Sequence, residues 1–273
     1  MAEKIEWVSV GALGEAFHGD NNLEFVADLG GRTLLFTFED GRSFEYVFAD
    51  AHALSWEIKP GHGISLYSEE SYGATKPGNG VYFVDFIASK KRATTVSLVI
   101  DLNKDVLTAV IGEMPTKEES QEPFLDKIKL GKTLTTVKTT FVRGTVGKPF
   151  SITKEHHERT TDLIGRRVMY AYSPTEKYEH IYLNPEFYSW RCLSGIEKGL
   201  CDTDYCHYYK VDANLYLFVW HEKIVPTLGV IIIDFDKLKT TGKICGYTGN
   251  DFQTVTNFGV GAFATLVNAV STA

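Results

Sequence analysis

The chain has 273 residues, 44% of them hydrophobic and 23% charged, with a formal charge of −7. That is enough to bury a sizeable core in one or two domains. The acidic balance argues against nucleic acid and anionic membrane surfaces as partners, because both reward clustered Lys and Arg. No run of about 18 apolar residues is present to cross a membrane, and the 13% aromatic content excludes disorder and favours β structure.

Met1 to Val10 carries Glu3, Glu6 and Trp7 and lacks an apolar h-region, so no secretory signal is expected there. Period-2 alternation of aromatic and β-branched residues then marks strands at 32–38, 43–49, 53–58, 66–75, 80–87, 94–101, 106–112 and 133–145. The charged stretch from Thr116 to Lys129 reads as helix, placed to close or cover this first set. A second set follows at 166–173, 178–183, 187–192, 204–211, 215–222, 227–234, 242–247 and 252–266.

The two sets are copies. Gly31 to Phe38 recurs as Gly165 to Tyr172, Ser55-Trp56 as Ser189-Trp190, and Tyr82 as Tyr216. The offset is 134, apart from a one-residue slip where Asp101 meets Asp234, repaired where Gly112 meets Gly246. About eight short strands per copy point to an all-β fold: two tandem lipocalin-like, eight-stranded antiparallel barrels, with a two-sheet sandwich as the alternative. The expected division is 1–145 and 146–273.

Strand parity suggests which barrel holds a ligand, since residues i, i+2 and i+4 share a face. The inward face of the first copy reads Leu34, Phe36, Phe38, Phe44, Tyr46, Phe48, Leu54 and Trp56. The matching positions of the second read Val168, Tyr170, Tyr172, Tyr178, His180, Tyr182, Tyr188 and Trp190, and a later strand adds Tyr216, Phe218, Trp220 and Glu222. A buried hydroxyl or carboxylate costs free energy unless something hydrogen-bonds it. The first barrel is therefore expected to be largely filled, a scaffold, and the second to carry the pocket.

At these residues the sequence resembles the MoaF family, whose name stands for molybdenum cofactor biosynthesis protein F. The second copy carries the resemblance through Tyr178 to Asn184, Tyr188 to Trp190, Glu197 to Asp204, His207 to Lys210 and Leu217 to Thr227. The first copy carries it through Tyr82 to Phe86 and Val96 to Asp101. The resemblance implies two lipocalin-like, calycin-type barrels. That half-chain is also distantly similar to phenolic acid decarboxylases, cofactor-free lyases that use tyrosines, an arginine and a glutamate. The family name implies no chemistry here: a radical-type cysteine triplet, a phosphate-cradling glycine loop and a basic pterin pocket are all lacking.

Two functions are expected of the second barrel. One is cofactor-independent acid/base chemistry, a decarboxylation, dehydration or isomerisation of a small aromatic or unsaturated compound. His180, Glu222 and Tyr178 would be catalytic. Arg166, Tyr170, Tyr172, Tyr182, Tyr188, Trp190, His207, Tyr216 and Trp220 would bind the ligand. The other function is a carrier or sensor using the same pocket without turnover. No cofactor is expected. Cys192, Cys201, Cys206 and Cys245 lack metal-ligand spacing and suit free thiols in a cytoplasmic protein. Edge strands and exposed aromatics would allow a homodimer.

Overall fold

The computed structural model describes residues 7–17, 21–59 and 66–269. They gather into two compact units, each with its own apolar core. The first takes Leu23–Glu113 and Thr139–Glu158; the second takes the chain up to Asn22, Met114–Lys138 and everything from Arg159 onward. The units are thus less simply divided than a single cut after residue 145.

In the first unit, eight antiparallel strands follow one another around a closed barrel. They are β1 (Thr33–Phe38), β2 (Ser43–Phe48), β3 (Ala53–Ile58), β4 (Tyr67–Gly78), β5 (Val81–Ile87), β6 (Thr94–Asp101), β7 (Val106–Glu113) and β8 (Lys138–Val146). The ring closes where β8 returns to β1, with Phe36 opposite Val146. The even-numbered residues expected inside do face inward: Phe36, Phe38, Tyr46, Phe48 and Leu54 are all buried in one cluster.

The second unit opens with helix α1 (Val10–Ala16) and includes α2 (Lys117–Gln121) and α3 (Phe124–Lys129). Its strands are β9 (Glu158–Arg159), β10 (Arg166–Ala171), β11 (Lys177–Tyr182), β12 (Phe187–Ser194), β13 (Cys201–Asp212), β14 (Leu215–Glu222), β15 (Thr227–Asp234), β16 (Lys239–Tyr247), β17 (Val255–Val260) and β18 (Phe263–Ala269). Eight of them close a second antiparallel barrel. β12 pairs β13, with Trp190 opposite Asp202, and β18 pairs β10, with Met169 opposite Thr265. β16 bridges to β18 at Lys239 and Phe263, while most of its length pairs β17.

Two expectations need correction. The strand expected over 252–266 is two strands, broken at Gly261-Ala262. A Cβ at Gly261 would lie 2.5 Å from Asn22 Cα and 2.6 Å from Asn21 O, so the chain bends where another backbone segment crosses it. The helical stretch 116–129 does form, with a capping box between Thr116 and Glu119. It belongs to the second unit, not to the first barrel: Tyr247 donates its hydroxyl hydrogen to Pro115 O at 2.6 Å.

Helix α1 was not among the expected elements. Ser9 caps it by accepting from Ala12 N at 3.3 Å. Trp7, Val10, Leu13 and Phe17 recur at helical spacing, and all four pack into or against the second core.

Candidate functional site

The second barrel brings seven of the twelve expected site residues around one void of about 30 Å³: Tyr172, Tyr178, His180, Tyr188, Trp190, Trp220 and Glu222. Parity on β11, β12 and β14 points six of them inward, and Tyr172 directly follows β10. Leu13, Phe17, Glu197 and Ile244 complete the lining. The Tyr178 hydroxyl donates to Glu197 Oε2 at 2.9 Å, and Trp220 Nε1 donates to Glu222 Oε1 at 2.9 Å. Trp190 Nε1 donates to Asp204 Oδ2 at 2.8 Å, and the Lys223 ammonium lies 3.2 Å from Asp204 Oδ1.

Burial governs the protonation of this set. It pulls the His180 imidazole down to about 3, so the ring is neutral at physiological pH. His180 Nδ1 is buried with no hydrogen-bond partner among the described residues. Burial, then the negative charges of Asp204 and Glu197, push the Glu222 carboxyl well above the usual carboxylate range. Burial and Glu197 push the Tyr178 phenol up as well. A neutral base and a carboxyl held toward its acid form therefore share one enclosed space.

The other five expected residues lie away from the void. Tyr170 and Tyr182 share a hydroxyl–hydroxyl hydrogen bond of 2.6 Å. Tyr216 donates to Asp162 Oδ2 at 3.1 Å, and the Arg166 guanidinium stacks on Phe235 at 4.6 Å. His207 follows Cys206 on the opposite face of β13, against Arg159, Tyr205 and His221.

The expected contrast between the barrels is reversed. The first barrel, expected to be filled, encloses a cavity of about 220 Å³. Phe38, Phe44, Tyr46, Trp56, Phe86, Leu98, Ala109 and Ile111 are among its walls, and Arg42, Tyr67, Lys90 and Lys91 stand in the exposed part of its lining. Glu70 is the buried carboxylate of the lining, accepting from Trp56 Nε1 at 3.3 Å and from Ser89 N at 2.8 Å. The physical reason is side-chain volume on later strands. At the offset of 134, Ala74, Val84 and Phe86 of the first copy correspond to Tyr208, Phe218 and Trp220 of the second. Those larger rings stack: Tyr208 on Phe218 at 5.6 Å and Phe218 on Trp220 at 5.3 Å. Leu13 and Phe17 from α1 then fill more of the second interior.

Two family models match the chain, one over each copy. A family described as "MoaF N-terminal domain" matches residues 5–116, and "MoaF C-terminal domain" matches residues 157–270. The chain belongs to the MoaF family. It is 38% identical to "Protein MoaF" of Klebsiella aerogenes over 269 residues, 98% of each chain. A solved structure, "Crystal Structure of a putative beta-lactamase from Burkholderia vietnamiensis", aligns with 40% of this chain and 99% of its own at 14% identity and a TM-score of 0.34. In this MoaF-family chain all four cysteines are free thiols. Among the described residues no cluster of three or more His, Cys, Asp or Glu is placed to hold a metal. Among the same described residues no helix is long and apolar enough to cross a membrane.

Sequence reasoning missed Leu13, Phe17, Glu197 and Ile244 at the second void; in the first barrel it placed Phe38, Phe44, Tyr46 and Trp56 inward but not the cavity they border. The helical spacing of Trp7, Val10, Leu13 and Phe17 was the available signal for α1.

Proposed function

We propose that this MoaF-family protein binds a small aromatic or unsaturated molecule carrying a negative charge, and that the first barrel is the receptor. The observation that carries this is the cavity of about 220 Å³, apolar within and rimmed by Arg42, Lys90 and Lys91. A cavity of ~150 Å³ accommodates benzene, so this one suits a single ring with a short substituent. An apolar chamber with a few polar groups at one end is the usual form of a small-molecule site. Arg42 is already paired with Asp40, so Lys90 and Lys91 are the rim cations that favour a carboxylate pointing outward, and Glu70 disfavours one pointing inward.

The test is calorimetric titration with benzoate and 4-hydroxycinnamate, alongside Trp56 fluorescence. Saturable binding that weakens at least tenfold in Ala109→Phe, which fills the chamber, is the expected result. Equal binding by the filled variant would exclude the first barrel.

The second barrel supports a second reading, because His180, Glu222 and Tyr178 meet at one void. The void of about 30 Å³ admits a substrate only once neighbouring side chains yield room; an uncharged unsaturated one would then isomerise or lose water, with neutral His180 taking a proton and Glu222 returning one. Decarboxylation fits less well, since its anionic substrate would sit beside Glu222, Glu197 and Asp204. Product formation that disappears in His180→Ala would support turnover; ligand retained without product would support a carrier.

A further inference from the structure

Phe17 stands out within the second barrel, because its ring enters from α1 and not from a barrel strand. It caps the C-terminal end of that helix and is 5% exposed. Its ring lies parallel to Tyr172, with centroids 4.8 Å apart and planes at 11°. Tyr178 meets its edge at 5.5 Å and Phe258 at 6.5 Å. Offset stacking on one side with edge contacts on others is how a protein holds an aromatic ring.

Behind that ring lies the void of about 30 Å³, and the groups around it are poorly satisfied. His180 Nδ1 has no partner among the described residues. The Tyr172 and Tyr188 hydroxyls face the same space without a hydrogen bond to another described residue. A void of this size holds about one water-sized group, and such a group needs two to four polar partners. Ring slot and polar void are continuous through Phe17, which lines both.

We propose that Phe17 is a built-in stand-in for a ligand, and that the second barrel takes a phenol whose ring displaces Phe17 and whose hydroxyl enters the void. The hydroxyl donates to His180 Nδ1 and accepts from the carboxyl of Glu222 or from Tyr172. The void disfavours anions, because Glu197 and Glu222 line it, no cation does, and Lys223 is already engaged by Asp202 and Asp204. The two barrels thereby select opposite substituents on a similar ring. This inference shares a site with the turnover reading and does not depend on it, since it concerns binding alone.

The experiment titrates the full chain with phenol and with benzoate, by calorimetry and thermal shift, in an Ala109→Phe background that closes the first cavity. Phe17→Ala is expected to bind one phenol at least tenfold more tightly than the Phe17 parent, and to gain thermal stability from it. Benzoate is expected to do neither, and adding His180→Phe should weaken phenol binding at least tenfold. If Phe17→Ala does not fold, Phe17→Leu should show the same order with a smaller gain, about threefold. Phenol binding unchanged by Phe17 truncation, or matched by benzoate, would overturn the proposal. Phenol retained without turnover leaves it standing and removes only the catalytic reading.

Discussion

The two barrels share a strand plan, a residue offset and an inward face, yet one is hollow and the other is nearly solid. Polarity does not account for this. The first three strands of each copy differ mainly in hydroxyls, except where Leu54 of the first corresponds to Tyr188 of the second. The difference arises on later strands, where Ala74, Val84 and Phe86 are replaced by Tyr208, Phe218 and Trp220, and in the insertion of Leu13 and Phe17 from outside the barrel. Interior volume is thus set by a few ring-sized substitutions on an unchanged scaffold.

Trp220→Ala should break that contrast most strongly. The ring is 3% exposed, stacks on Phe218 and packs over Gly229. Its removal is expected to cost ~3–5 kcal/mol, read as a lower urea midpoint at unchanged slope. Trp56→Ala, whose ring borders the existing cavity and is already partly accessible, should cost clearly less. Equal losses would show that the first cavity is collapsed in solution.

Acid should separate the units next. In the second, burial lowers His180 and His221 to about 3 and His207 to about 4. These rings stay neutral in the fold, while the unfolded chain takes up protons below pH ~6.5. Their contribution is therefore present above that pH and lost as pH falls toward the folded values. Each histidine adds a slope of ~1.4 kcal/mol per pH unit. In the first unit Lys76 lowers Asp28, backbone amides lower Asp50 and Lys148 lowers Asp105. Stability from those groups is lost only as pH falls below the ordinary aspartate range. Between pH 6.5 and 4.5, His180→Phe should therefore lose less stability than the parent, read as amide exchange in β10–β16, while the raised carboxyls of Glu222, Glu197 and Asp204 oppose the histidines over the same window. Glu222 works in the opposite sense: its raised pKa gives stability at low pH that is lost as pH rises, so Glu222→Gln should flatten the alkaline limb.

Gly229→Ala sharpens the volume argument at smaller scale. A Cβ there would collide with the Trp220 ring, and overpacking of this kind costs ~1–3 kcal/mol. Restoring room with Trp220→Phe should recover most of it.

The fold was largely legible because alternation, turn residues and a long repeat all agree. Strand parity also placed Tyr172, Tyr178, His180 and Glu222 on one interior. The cavity was not legible by that route. Parity says which side chains point inward, but whether they meet depends on volumes summed over all eight strands, including pairs such as Ala74 and Tyr208. It also depends on what enters from outside, and α1 lies far from the barrel strands in sequence. The split of 252–266 was hidden because Gly261 answers to a crossing of Asn21-Asn22 that no local pattern records.

The smallest expected effect concerns the outer faces, where equivalent positions carry different charges. Glu45 lies opposite Glu57 in the first barrel; at the same offset Glu179 lies opposite Arg191 in the second. Like charges directly opposite on a sheet repel, and in the first barrel Lys59 bridges them at 2.8 and 2.7 Å. In the second, Arg191 and Arg167 each reach Glu179 at 2.6 Å. Arg191→Ala should cost only ~0.2–1 kcal/mol, because half of its side chain is in water and Arg167 remains. Lys59→Ala should lower Tm through the repulsion it exposes, and Glu57→Gln should restore it. Both effects should shrink in 1 M salt, where screening acts within about 3 Å. If Glu57→Gln gave no rescue, the Glu45–Glu57 pair would not be repelling, and the difference between the outer faces would be compositional without being energetic.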